Sequence, residues 1–267
     1  MTVTSDMDFA EAAEKEGAYG HDRKLGDLHV NMSNALTRAA HGLTLNEKRL
    51  MACCIAQLDS IRTARHPTYD QTRVKLKAVD FAETYGIDEK TSYRELIAAS
   101  DKLFKRHIRI MDKTPKGMVE IKFVWISGVK YHHGEGWIEL GFSHEVTPHL
   151  TLLRKEYTSY KLKNAAALRS MYSWRLYELF VSVWNKKNHP EMKGCLHIKM
   201  EDFRRAMDVP KAYERWSNMN QKAVKPAIAE LSNLHNLKIT MTPRKKSRTV
   251  VALTFDFEVN SQAKLDF

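Results

Sequence analysis

Between residues 195 and 257 the apolar positions change period several times, and each change predicts an element. Cys195-Leu-His-Ile-Lys199 alternates as a short strand, and Met200-Glu-Asp-Phe-Arg-Arg-Ala-Met207 reads as a short helix. Asp208-Val-Pro-Lys211 is a turn. A long helix follows over roughly Tyr213 to Asn233, with Trp216, Met219, Ala223, Ala227, Ile228 and Leu231 on one stripe. Pro226 lies inside it and removes one backbone hydrogen bond, which predicts a kink across which the stripe keeps phase. Leu237–Met241 and Thr249–Phe257 read as two strands joined by the basic turn Pro243-Arg-Lys-Lys-Ser-Arg248.

Upstream, residues 1–29 have little periodicity and read as a flexible tail. Ser33 is placed to cap a short helix carrying Leu36, Ala39 and Ala40 and ended by His41-Gly42. Thr44 and Glu47 have the spacing of a capping box, ahead of a helix with Leu50, Met51, Cys54, Ile55 and Leu58 on one face. Ile61–Gln71, with Pro67, reads as a loop.

From residue 74 the chain repeats itself. Val74–Phe81 can be laid over Leu196–Phe203 without a gap: Lys77/Lys199, Asp80/Asp202 and Phe81/Phe203 are identical, and Val74/Leu196 and Leu76/Ile198 are apolar pairs. Tyr85-Gly86-Ile87 parallels Met207-Asp208-Val209 as the turn. A helix follows with Asp88 as its cap and Tyr93, Leu96, Ile97, Ser100, Leu103 and Phe104 on one stripe. Ile108–Ile110 and Val119–Trp125, joined by Thr114–Gly117, are expected to match the C-terminal hairpin, leaving Trp137–Phe142 as an extra strand. Ser143–Leu153 reads as a short helix and linker. An apolar helix from Asn164 to Val183 is expected to support the second copy. The aromatics Tyr157, Tyr160, Tyr172, Trp174, Tyr177 and Trp184 around it suit packing better than base stacking. Strand, helix, turn, helix and hairpin, twice over, predict an α+β protein of two tandem winged-helix domains related by an internal pseudo-repeat. The expected division is a tail over 1–29, a first domain over 30–150 and a second over 151–267.

Charge sharpens this picture. The 267 residues carry a formal net charge of +11, which favours a polyanionic partner, nucleic acid before an acidic membrane surface. The second long helix offers Arg215, Asn218, Asn220, Gln221, Lys222 and Lys225 between its apolar positions. Arg and Lys donate to guanine O6 and N7, and Asn and Gln pair with adenine N6 and N7. An ordinary solvated face has the same composition; the hairpin cations Arg244, Lys245, Lys246 and Arg248 that follow tip the reading towards DNA. Those, with Arg204 and Lys211, are phosphate-contact candidates, and the first copy offers Lys90, Thr91, Ser92, Arg94, Lys113 and Lys116 for phosphate contact or dimer formation.

Other classes find little support. Cys53, Cys54 and Cys195 form no disulfide framework and no zinc motif, and Cys53-Cys54 sit in an apolar run as packed thiols. His189, Cys195 and His197 lack a fourth ligand, and His132-His133 read as loop residues. There is no GxxxxGK[ST] phosphate loop and no compelling carboxylate pair, so neither catalysis nor a cofactor or metal is expected. The absence of a signal peptide and of a membrane-length apolar run predicts a soluble, cytoplasmic protein without a membrane partner.

With both copies located, the chain from about Val30 to Glu258 resembles the iteron-binding replication initiators of theta-replicating plasmids. The resemblance lies in Ala35–Leu50, the Tyr93…Leu103-Phe104 helix, Ser170–Leu179 and Ile198…Phe203. It implies two winged helices, binding as monomers to direct repeats at a plasmid origin, repression of the initiator's own gene by dimers, and recruitment of the host initiator and helicase. It also implies a base-reading role for Asn218, Asn220, Gln221 and Lys222. Asn220-Gln221-Lys222 stand where relatives often carry arginines, so sequence preference does not transfer. A winged-helix repressor without initiator activity would share every physical feature named above. A nicking, relaxase-type initiator would need a metal site and a nucleophilic tyrosine.

Overall fold

The computed structural model describes residues 23–58 and 72–260; residues 1–22 of the expected tail, the 61–71 loop and the Lys113 side chain lie outside them, while the end of that tail is ordered, with a 3-10 turn at Leu25–Asp27 and β1 starting at His29. In chain order come β1 (His29–Ser33), α1 (Asn34–Arg38), α2 (Leu45–Gln57), β2 (Arg73–Lys77), α3 (Ala78–Tyr85), α4 (Glu89–Leu103), β3 (His107–Thr114) and β4 (Gly117–Val124). Then come β5 (Ile126–His132), β6 (Trp137–Phe142), β7 (Tyr157–Lys161), α5 (Leu162–Ala166), α6 (Met171–Val183), β8 (Lys193–Lys199) and α7 (Met200–Met207). The helix α8 is built from Trp216–Met219, a π turn at Asn220–Val224, and Lys225–His235; β9 (Leu237–Lys246) and β10 (Thr249–Val259) close the chain.

The caps work as the sequence implies. Ser33 Oγ accepts from Leu36 N–H at 3.1 Å, and Thr44 and Glu47 exchange side-chain and backbone bonds as a capping box. Asp88 stands at the N-cap of α4 without a side-chain bond to it. The single helix expected from Asn164 is two. Ser170 Oγ takes Tyr172 N–H at 3.1 Å and starts α6 afresh, while Leu168, in the break, stays fully buried.

The repeat is real, and its order is helix, strand, helix, helix, strand, strand: α2-β2-α3-α4-β5-β6, then α6-β8-α7-α8-β9-β10. Each copy closes a three-stranded antiparallel sheet, ordered β2-β6-β5 and β8-β10-β9. Lys77 and Lys199 end the matching strands, Phe81 and Phe203 are buried beneath them, and both eight-residue helices end on a left-handed residue, Gly86 and Asp208. One correspondence needs correction. The hairpin of the first copy is β5–β6, whereas β3–β4 forms a separate two-stranded ribbon inserted before it. Both hairpins alternate as strands do, and alternation does not say which strand pairs with β2.

Pro226 is accommodated without breaking the helix. Lys225 N–H reaches back five residues to Asn220 O, so the backbone widens into a π turn just before the proline, which then occupies the first turn of the last segment. Of the expected stripe, Met219, Ala223, Ala227 and Leu231 are fully buried and Trp216 and Ile228 half-buried, and the π turn adds Val224 to the buried face. Burying a side chain the size of Leu231 contributes about 1.5–3 kcal/mol. Beneath it, Phe180 of α6 stacks on Phe257 at 4.3 Å between centroids, and Phe203 packs on Phe255. Trp174, Tyr160 and Tyr177 are buried as packing residues, while Tyr157 remains exposed.

The two copies share more than a linker. β1 pairs antiparallel with β7, running from His29↔Lys161 to Ser33↔Tyr157. Between them lies a buried polar joint. Arg175 on α6, 2% exposed, donates from Nε to Ala206 O at 2.5 Å and from Nη2 to Ala39 O at 2.6 Å. Its Nη1 lies 3.1 Å from His41 Nδ1. Glu178, fully buried one turn along, holds Lys48 Nζ at 2.6 Å and accepts from Tyr160 O–H at 2.7 Å. A carbonyl can only accept, so the 2.8 Å contact of His41 Nε2 with Leu36 O fixes the proton on Nε2 and leaves Nδ1 bare towards the guanidinium. Burial, reinforced by Arg175 and Lys48, holds His41 well below the usual imidazole pKa.

Candidate nucleic-acid interface

The second copy presents its polar face along α7, the turn and α8. Asp208 leaves α7 in the left-handed region (φ 48°), and Lys211–Tyr213 make one turn of 3-10 helix before α8. Arg204 braces this approach: its guanidinium donates to Tyr213 O at 3.2 Å and to Glu214 O. Both terminal nitrogens of the group expected to contact phosphate are thus engaged by backbone carbonyls. Lys211 is exposed on the turn.

Arg215, the N-cap of α8, and Asn218, Gln221, Lys222 and Lys225 along it are exposed, away from the buried stripe. Asn218 Nδ2 makes a long 3.4 Å contact with Ala212 O. Asn220 departs from the expectation. It is half-buried, with Oδ1 turned inward and no hydrogen-bond partner, so a bidentate adenine contact would require its side chain to turn out.

The hairpin beside α8 is longer than its sequence suggested. β9 and β10 stay paired out to Lys246↔Thr249, so Arg244, Lys245 and Lys246 are strand residues, and only Ser247 (φ 56°) and Arg248 make the turn. The register shifts between Val250 and Ala252, a bulge of the kind that re-aims a ribbon. All four cations are exposed, and no side-chain bond or ion pair within the described residues engages them.

The first copy is sparser. Lys90 and Arg94 are exposed at the start of α4, and Thr91 Oγ1 donates to Asp88 O at 3.0 Å. Ser92 is fully buried and donates to Glu89 O at 2.7 Å, so it is a core residue and not a phosphate contact. Helical spacing alone could not separate it from its exposed neighbours. Lys116, with Lys113, belongs to the inserted ribbon and not to the wing.

In the first wing, β5–β6, His132, expected in a loop, is the last residue of β5, and only His133 lies in the turn; β2 lies beside it. Lys75 Nζ lies 4.1 Å from the Trp137 ring centroid, His132 stacks on Trp137 at 4.9 Å, and His133 Nδ1 lies 3.3 Å from the Tyr93 hydroxyl of α4. Lysines at every second position of β2, Lys75 and Lys77, were the available signal for an exposed cationic strand face.

Elsewhere the chemistry is quiet. Burial pushes the Cys53 thiol up to about 12 and raises Cys54 as well. Exposed Cys195 sits 3.3 Å from His197 Nε2, whose Nδ1 meets Thr254 Oγ1 at 2.9 Å. Among the described residues, no three His, Cys, Asp or Glu side chains converge as a metal site. No described helix is long and apolar enough to cross a membrane.

Two winged helices, one with an exposed polar recognition face beside a cationic hairpin, define a double winged-helix DNA-binding protein. Comparison with known proteins makes the class specific. Residues 29–181 match the family described as Initiator Replication protein, WH1, and residues 199–257 match Initiator Rep protein, WH2. The chain belongs to this initiator replication protein family. A curated Escherichia coli "Replication initiation protein" is 28% identical over 242 residues, covering 90% of this chain and 73% of that one. An "Uncharacterized 27.6 kDa protein" of Escherichia coli is 22% identical over 157 residues, 57% of this chain and 65% of its own length. A crystal structure of Pi initiator protein in complex with iteron DNA shares the fold. Its TM-score is 0.71 at 21% identity, over 88% of this chain and 99% of that one.

Proposed function

We infer that this protein initiates plasmid replication by binding directly repeated double-stranded DNA at an origin. The observation that carries the reading is the exposed set Asn218, Gln221, Lys222 and Lys225 on α8 with Arg215 at its N-cap, flanked by the unpaired cations of the β9–β10 hairpin. The family supplies the context, and the Pi initiator, of the same fold, is a complex with iteron DNA. In this reading residues 151–267 read sequence, with α8 in the major groove and Arg244, Lys245, Lys246, Arg248 and Lys211 on phosphates. Residues 30–150 add phosphate contacts through Lys90, Arg94 and Thr91 and supply a surface for self-association.

That surface is the β4 side of the β3–β4 ribbon, where Met118, Val119 and Ile121 are exposed, while β3 is bridged on its outer side by Ala40 at Arg109; an exposed apolar strand of this kind favours pairing with a second copy. A dimer formed there would occupy and repress its own gene, while monomers at the repeats would recruit the host initiator and helicase. The protein would act in the bacterial cytoplasm, without catalysis of its own.

Gel-shift titration against repeats flanking the gene tests the core of this. Wild type should prefer the repeats to random duplex, and Gln221→Ala/Lys222→Ala should lose that preference at about 1–3 kcal/mol per lost base contact. Equal affinity of wild type for both duplexes would refute sequence-specific binding.

A further inference from the structure

The two helix-turn-helix turns are equivalent in backbone and different in side chain. Each opens on a left-handed residue, Gly86 (φ 61°) in the first copy and Asp208 (φ 48°) in the second. Glycine adopts this conformation freely, whereas a residue with a Cβ is strained there. A Cβ built on Gly86 would meet nothing within 4 Å, so that turn faces open space. At Asp208 the side chain is engaged: Oδ2 accepts the backbone N–H of Gly42, in the loop that follows α1. Two residues earlier, Ala206 O takes the Arg175 Nε bond, and the same guanidinium grips Ala39 O and His41 Nδ1 on either side of Ala40. The donors of a guanidinium are coplanar at fixed angles, so holding both carbonyls fixes the distance and the rotation between α7 and the α1 loop.

We propose that Asp208 and Arg175 determine which spacing of two half-sites the protein accepts, by locking the second helix-turn-helix to the first copy. They touch no base. The proposal rests on the reading that both copies engage one duplex. Inserting about five base pairs between half-sites turns one by half a helical turn relative to the other. A locked protein cannot follow that rotation, and an unlocked one can.

The full-length chain is used first to select a duplex from a randomised pool. Derivatives of that duplex, lengthened at the centre by steps of one base pair up to half a turn, are then titrated by fluorescence anisotropy. Wild type, Asp208→Gly and Arg175→Lys are compared. Glycine keeps the left-handed turn, as Gly86 does, and removes only the carboxylate, so this variant separates the latch from the fold. Losing an acid raises affinity for all duplexes alike, which cancels in the ratio between spacings. Wild type should lose on the order of a hundredfold at the half-turn insertion, and Asp208→Gly, in which the Arg175 clamp remains, about tenfold. Arg175→Lys should flatten the profile in the same direction. Superimposable profiles for wild type and Asp208→Gly overturn the latch while leaving DNA binding intact. A flat wild-type profile overturns it too. A wild type that selects no duplex overturns the DNA-binding reading, and the latch with it.

Discussion

Replacing His41 by glutamine should remove a defined share of the protein's acid sensitivity. His41 is 2% exposed, donates from Nε2 to Leu36 O and faces the Arg175 guanidinium with a bare Nδ1. Burial disfavours a charged ring here, and protonating Nδ1 would also set two cationic donors against each other, so its pKa is held well below the ordinary 6.5. The unfolded chain keeps the ordinary value and takes up a proton as pH falls, which the folded chain does not. The stability this histidine supports is therefore complete above about 6.5 and lost progressively below it. Integrating one proton from one pH unit above 6.5 to one unit below gives a loss of about 1.4 kcal/mol. Glutamine offers an amide donor and a carbonyl acceptor without a titrating group. Urea melts followed by tryptophan fluorescence at the two pH values, for wild type and His41→Gln, isolate the effect. Trp125, edge-on to His41 at 4.9 Å, is a suitable reporter. Burial also lowers His29, His149 and His235, but all three remain in wild type and variant alike, so their share cancels. Wild type should lose about 1.4 kcal/mol more than the variant. Equal losses, within the ~0.3–0.5 kcal/mol to which independent effects add, would refute the buried neutral tautomer.

Two further outcomes are expected. Replacing Arg244, Lys245 and Lys246 together by alanine should weaken binding to every duplex and reduce the salt slope by about 0.9 per phosphate released, some 2.7 for all three; an unchanged slope takes the hairpin out of contact with DNA. Gly194→Ala should lower the thermal midpoint, because the new Cβ would sit 2.8 Å from Phe257 Cζ on a ring already stacked against Phe180. Overpacking of this kind costs about 1–3 kcal/mol, and a midpoint equal to wild type would show that the ring can retreat.

What the sequence revealed depends on how local each signal is. β8 and α7 were legible almost to the residue, because alternation gives way to a compact helix ending at Met207. The copy in β2 and α3 followed from the same residues at the same spacing. Strand partnership is not local, and so the inserted β3–β4 ribbon passed for the first wing. The Ser170 cap hid within an apolar run that continues through Leu168, and a π turn leaves helical spacing nearly intact around Pro226. At the candidate interface the exposed cations of α8 and the hairpin were readable, while Ser92, Arg204 and Asn220 needed their partners to be seen. Arg175 and Glu178 offered one unused signal: two charges, three residues apart, within the otherwise apolar face of α6.

The pairing of β1 with β7 also sets the order in which the chain can be finished. Asn34 and Thr158, bonded across this junction, lie 124 residues apart. At synthesis rates of about 5–20 residues per second, β1 waits roughly 6–25 s for its partner to be made. Through that interval its buried positions, Val30 and Met32, lack the strand that pairs them, and the apolar edge is open to other chains. Growth temperature and synthesis rate should therefore govern the soluble yield of this protein more strongly than its final stability does.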